Sequence, residues 1–301
     1  MILPFAPRLS GPAALATLVT LWVLGLAAAP SVAPGARARQ QFAARTELVE
    51  VYATVTDDRG RFVTDIGRDE FTVLEDGVPQ ALSTFADGEQ PVSIALAVDR
   101  SWSMADGGLD AARRGGRDLL WELGDQDRVM LVAIGSEVEV PVPLTNDRRR
   151  VDTALQALDP WGSTALHDAV VTAFDAIEPA PGRRALVLIS DGLERGSRRS
   201  GADVLARVRA SDVLAYPVVL QRKVPDVLAR LAATTGGQAQ RVKRLADLPA
   251  VLRRIASDLR HQYLLGYQPL RPTVAGEYRR IEVRVGRQKH HVRARAGYLA
   301  R

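Results

Sequence analysis

The stretch Val92–Met104, which reads VSIALAVDRSWSM, sets the tightest limit on what this chain can fold into. Residues 92–98 carry a single hydroxyl and are otherwise apolar. Such a run fits a strand buried on both faces, as in a parallel sheet covered by helices on either side. It then breaks into Asp99-Arg100-Ser101-Trp102-Ser103, so three oxygen-bearing side chains at alternate positions stand where the strand ends. In an open α/β sheet, ligands bind outside the carboxyl ends of the strands. Oxygen donors with more hydroxyls than carboxylates suit a small hard cation such as Mg2+. The same residues also read as caps of the following helix. The triplet alone leaves both readings open.

Two later stretches bear on the choice. Trp161-Gly162-Ser163-Thr164 precedes a helix-like run, Ala165 to Ile177. Ala185 to Ser190 is a second buried-strand pattern, and it ends in Asp191-Gly192. An Asp-x-Ser-x-Ser motif, a Thr in a Gly-x-Thr loop and a strand ending Ser-Asp-Gly together resemble a von Willebrand factor type A domain. The resemblance implies a metal-ion-dependent adhesion site holding Mg2+ or Mn2+. It assigns Asp99, Ser101 and Ser103 to the first motif, Thr164 to the second and Asp191 to the third. It further implies that the hydroxyls meet the metal directly and that the acids act largely through water. Thr145 competes for the threonine role but follows Pro143-Leu144 and lacks the Gly-x-Thr setting.

Residues 1–38 read as an export signal or a membrane anchor. Arg8 precedes a segment, Pro12 to Ala29, that is apolar apart from two threonines, and Ala36-Arg37-Ala38 offers a small-x-small cleavage site. A core of about eighteen residues is also long enough to span a bilayer. The expectation is an exported protein, periplasmic or secreted, with a mature start near Arg39 if cleaved. Residues 46–88 have β texture: a run through Leu48 and Val55 stopped at Asp57-Asp58-Arg59-Gly60, then Phe71–Leu74, a turn at Glu75-Asp76-Gly77 and a return strand from Gln80 to Phe85. The acids Asp57, Asp58, Asp65, Asp69, Glu75 and Asp76 are accounted for by turn chemistry without calcium.

Residues 91–261 alternate strands with helices, the pattern of a doubly wound, mostly parallel sheet. Helices are expected at Leu109–Leu123, near Arg148–Leu158, at Ala165–Ile177, Val224–Thr234 and Leu245–Arg260. Strands are expected at Arg128–Ile134, Val213–Leu220 and Gln238–Val242, with Glu137–Val142 as an antiparallel edge. Residues 262–301 return to β texture, with strands at Tyr263–Tyr267, Tyr278–Val285 and His290–Ala296. The wording TVTDDRGRFV and DEFTVLEDG near the start, and YLLGY and VRARAGY near the end, resembles an exported bacterial family called VWFA-related. Each end segment is too small to be stable alone. Segments 46–88 and 262–301 are therefore expected to pair into one β-sandwich that flanks the inserted α/β domain.

Cysteine is absent, which excludes disulfides, thiolate metal sites and a cysteine nucleophile. The formal net charge of +5 is local, because residues 271–301 hold nine Arg/Lys against two Glu. Arginines alternating along strands read as a solvated sheet face, and no nucleic-acid partner is expected. His167 and Asp168 lie near Ser163, but neighbours on a helix point to different faces, which disfavours a Ser/His/Asp hydrolase. Trp102 either packs on its loop or rims the site. The leading reading is a non-enzymatic protein-binding module whose incompletely ligated metal takes a carboxylate from a protein partner. The rivals are a purely structural or assembly-stabilising metal and a metal-dependent hydrolase.

Overall fold

The strand expected at the centre of the chain, β5 (Val92–Asp99), lies at the centre of a six-stranded sheet and is buried along its whole length. The computed structural model describes residues 48–286 and 289–300. The expected leader, 1–38, lies outside the described residues. Around β5 stand β6 (Arg128–Ile134), β7 (Val138–Thr145), β8 (Arg183–Ser190), β9 (Leu214–Leu220) and β10 (Gln240–Val242), in the order β10-β9-β8-β5-β6-β7. All pairings are parallel except β6 with the edge strand β7.

Strand side chains alternate between faces, and both faces of β5 are apolar. Ile94, Leu96 and Val98 pack under α1 (Gly108–Glu122), α2 (Arg148–Gln156) and α6 (Leu248–Arg260), through Leu119, Leu155 and Leu252. Ala95 and Ala97 face α3 (Leu166–Ile177), α4 (Gly201–Arg209) and α5 (Asp226–Thr235), through Phe174, Val204 and Leu231. The small alanines let α3 sit close to the sheet. From β5 the chain builds β6 on one side and later β8 on the other. The strand order therefore reverses at the carboxyl ends of β5 and β8, where a crevice opens between the diverging connections.

The two ends of the chain interleave. The first segment supplies β1 (Val49–Asp57), β2 (Phe71–Glu75), β3 (Val78–Gln80) and β4 (Leu82–Ala86). The last supplies β11 (Tyr263–Tyr267), β12 (Tyr278–Val285), β13 (His290–Ala294) and β14 (Gly297–Leu299). They form two four-stranded sheets, β13-β1-β11-β4 and β14-β12-β2-β3. Both sheets contain strands from both ends, so neither segment completes a sheet alone. Their shared core holds Val51, Val55, Phe71, Val73, Tyr263, Leu265 and Ile281. Full burial of such side chains contributes about 1.5–3 kcal/mol each. The flanking sandwich expected from the sequence is thus present.

Several local expectations change. The strand expected over 290–296 ends at Ala294 as β13, and a strand that was not expected, β14, follows it at Gly297–Leu299: the chain leaves one sheet after β13 and enters the other as β14. Helix α4 was not expected at all. The expected helix from Leu245 begins as a 3-10 turn, Leu245–Asp247, and becomes α-helical only at Leu248 with Pro249 in its first turn. Glu75 is not a turn acid but a buried one. It accepts hydrogen bonds from the Tyr267 hydroxyl at 2.8 Å and the Tyr298 hydroxyl at 2.9 Å, and pairs with the buried Arg279 at 2.8 Å. Arg280 and Arg284 are the solvated strand arginines expected; Arg279 is an exception. Asp57 does serve its turn, accepting from the Arg59 and Arg61 amides, each at 2.9 Å.

A polar seam joins the sandwich to the α/β unit. Thr54 of β1 donates to Asp258 of α6 at 2.7 Å, Arg293 of β13 pairs with the same carboxylate, and Gln262 donates to Thr54 and to the Tyr216 hydroxyl. Among the described residues no helix is long and apolar enough to cross a membrane.

Candidate metal-binding site

Asp99 ends β5, Ser190 ends β8 and Asp191 follows it, so the two parallel strands deliver their polar residues to one edge. The register pairs Val98 with Ile189, which sets Asp99 beside Ser190. The Ser190 hydroxyl donates to Asp99 Oδ2 at 2.6 Å, and the Ser101 amide donates to Asp99 Oδ1 at 2.9 Å. Asp99, Ser101, Thr164 and Asp191 are buried, whereas Ser103 is exposed. Ser101 and Ser103 bring their hydroxyl oxygens to 3.1 Å from each other. A 3-10 turn, Trp102–Met104, closes this loop, and Trp102 projects outward with 66% of its surface exposed.

The Thr164 loop is fastened to the first one. The Trp102 amide donates to Gly162 O at 3.1 Å, and the Trp161 amide donates to Arg100 O at 2.7 Å. Gly162 has a φ of +72°, and a Cβ there would lie 2.5 Å from the Ser136 hydroxyl oxygen, so only glycine fits. The Ser136 hydroxyl in turn accepts from the Ser163 amide at 2.9 Å. The Arg195 amide donates to Thr164 O at 3.0 Å, which ties the loop after β8 to the same place. Of the five residues singled out by sequence, Asp99 thus ends β5 and the other four stand on the connecting segments joined to it at the carboxyl end of the sheet. Thr145 does not: it ends the antiparallel β7 opposite Val129, at the start of β6, and accepts from the Asp147 amide ahead of α2.

Burial pushes the Asp99 carboxyl above its ordinary range, and the neighbouring Asp191 charge adds to this; the Ser101 and Ser190 hydrogen bonds offset part of the rise. Asp191 accepts from the Leu193 amide at 3.0 Å and meets Arg222 at 3.4 Å. Two buried acids beside a row of hydroxyls form an electronegative cluster that favours a cation. Adjacent ligands of an octahedral Mg2+ at 2.0–2.1 Å stand roughly 3 Å apart. The Ser101–Ser103 spacing has that size. The all-oxygen donor set therefore fits a hard divalent ion. Among the described residues no group of three or more His, Asp or Glu side chains is arranged to hold a metal; the cluster depends on its hydroxyls.

Some contributors were not singled out by sequence. Ser190, quoted only as a strand end, holds Asp99. Glu194 organises the loop after β8, accepting from the amides of Gly196, Ser197 and His167 and from the Ser197 hydroxyl. His167 and Asp168 belong to the same arrangement: His167 Nδ1 lies 3.2 Å from Arg199 O, and Asp168 accepts from the Arg198 and Arg199 amides. A signal for Ser190 existed in its place directly before Asp191 at a strand end. Glu194 offered none.

Residues 94–194 match the family model of the von Willebrand factor type A domain. Among solved structures, the chain is similar to a von Willebrand factor type A protein from Catenulispora acidiphila, with 13% identity, 86% of this chain and 75% of that one covered, and a TM-score of 0.52. It is also similar to proximal thread matrix protein 1 from the mussel byssus, a structure described as having a zinc-occupied MIDAS motif. There the identity is 14%, the coverage 62% of this chain and 49% of that one, and the TM-score 0.52. No match is found among curated proteins. At such identities the structural likeness speaks for the fold alone. With the sheet order and the family match in agreement, the chain carries a von Willebrand factor type A domain, set into a β-sandwich made from its own two ends.

Proposed function

We propose that this protein is a non-enzymatic binding module acting outside the cytoplasm, which holds Mg2+ or Mn2+ at Asp99, Ser101, Ser103, Thr164 and Asp191 and takes a carboxylate from a protein partner. The observation that carries this reading is the cluster at the sheet's reversal point, where the buried Asp99 and Asp191 stand at adjoining strand ends beside the paired Ser101 and Ser103 hydroxyls. When bound, the ion supplies a coordination position that an acidic side chain of the partner completes. Asp99, fixed by Ser190 and the Ser101 amide, supplies the charge that attracts the ion. Ser103 and the projecting Trp102 lie at the open side, where a partner's aromatic or apolar group can pack. Binding rather than turnover is favoured because His167 and Asp168 are committed to the loop after β8. The export-like residues 1–38 support the location.

Calorimetric titration with Mg2+ and Mn2+ tests the site. Asp99→Ala and Thr164→Ala are expected to abolish binding while the far-UV circular dichroism spectrum stays unchanged. Equal affinity in Thr164→Ala would remove that residue from the site. Proximity labelling in the native organism, with wild type and Asp99→Ala compared, then reports whether partner capture depends on the same residues.

A further inference from the structure

The charges around the cluster are unevenly matched. On the β6–β7 side, Arg100 packs over the Trp161 ring at 5.1 Å and is neutralised by Glu139 at 2.8 Å. On the β8–β9 side Arg222 and Arg199 meet Asp191 and Asp168, but further positive charge is left unmatched. Arg195, Arg198 and Lys223 are exposed there, and their side chains make no ion pair among the described residues. Arg195 is held beside the cluster by its amide bond to Thr164 O, Arg198 by its amide bond to Asp168, and Lys223 by following Arg222, which touches Asp191. The nearby acids are already engaged. Glu194 gives its oxygens to backbone and hydroxyl donors, and Asp168 takes the Arg198 amide and pairs with Arg199.

Resting on the functional reading above, we propose that the partner presents its carboxylate within an acidic segment, and that Arg195, Arg198 and Lys223 receive the neighbouring acids. The loop after β8 is suited to this because its backbone is fixed by Glu194 and Asp168, so the two arginines are offered from a set position. The asymmetry also orients the partner, with its acid-rich flank over the β8–β9 side and its uncharged flank toward Trp161. The attraction is between exposed charges, so it weakens as salt is raised.

Two synthetic peptides separate the possibilities: a Gly/Ser peptide with one central Asp, and the same peptide with Glu residues beside that Asp. Binding is followed with saturating Mg2+ and with chelator, up to millimolar peptide. The Glu-flanked peptide is expected to bind roughly tenfold more tightly at low salt. The charge-neutralising double substitution Arg195→Gln and Arg198→Gln should erase that gain while changing the single-Asp peptide and the calorimetric Mg2+ affinity far less. Equal affinity of the two peptides for wild type, or a gain retained in the double variant, overturns the acidic-segment proposal alone. Failure of both peptides to bind, or binding indifferent to chelator, overturns the underlying functional reading and this proposal with it.

Discussion

Asp168 and Glu194 are the two carboxylates that hold the loop after β8, and both are held below the ordinary carboxylate range. Burial pushes each of them up, but the hydrogen bonds, from Arg198 and Arg199 to Asp168 and from Ser197, His167 and Gly196 to Glu194, more than offset it. A depressed folded-state pKa gives stability that is present above the unfolded value, near pH 4, and lost as pH falls through the folded one. The loop should therefore be fixed at neutral pH and loosen on acidification below about pH 4. Amide chemical shifts of Gly196 to Arg199 followed by NMR check this; Asp168→Asn should release the Arg198 and Arg199 amides at neutral pH. At this scale the candidate site was readable because Asp99, Ser101 and Ser103 are spaced by single residues within one motif. Ser190 and Glu194 act on residues 91 and 27 positions away. Only folding closes those separations.

Elements were legible where their periodicity was strong. The central strands are unbroken apolar runs, and their bounds differ from expectation by a residue or two. Helix α4 escaped because it has only three buried apolar residues, Val204, Leu205 and Val208, among arginines and alanines, and it follows a turn-like Arg-Gly-Ser stretch. Strand β14 escaped because nothing in the alternating tail marks the point where the chain changes sheets. The pairing of the ends makes a definite prediction. Strand β1 lies between β11 and β13, and β2 pairs with β12. Deleting 262–301 removes both neighbours of β1 and one neighbour of β2. Limited proteolysis of that truncation should cut within 48–86 while 91–261 stays protected, since the α/β sheet keeps all six strands. Undiminished resistance of 48–86 would mean that the end segment draws its stability from elsewhere.

For the molecule as a whole, the interface between the sandwich and the α/β unit contains one costly group. Arg183 is 1% exposed, its guanidinium nitrogens have no hydrogen-bond partner among the described residues, and it lies over the Tyr52 ring at 5.0 Å. Burial pulls its pKa down, and burial likewise pushes the Tyr52 hydroxyl up to about 12. An unpaired buried charge is destabilising, and apolar replacement of buried ionic groups often stabilises by about 1–4 kcal/mol. Arg183→Met removes the charge and leaves a shorter, unbranched apolar stem beside Tyr52, and should raise Tm by several degrees in a thermal melt. A lower Tm would show that stacking on Tyr52 outweighs the desolvation cost.

The α/β unit leaves the sandwich from β4 and returns through β11, and those two strands are antiparallel neighbours, with Ala86 opposite Leu264. Taken together they are a hairpin whose turn is a whole domain. A pull on the carboxyl edge of the six-stranded sheet is therefore transmitted to the sandwich along two adjacent strands at once. A domain hung from one linker would put the same tension on a single covalent strand. Here a load on the α/β unit is divided at its point of entry and passes on through β11 to β1.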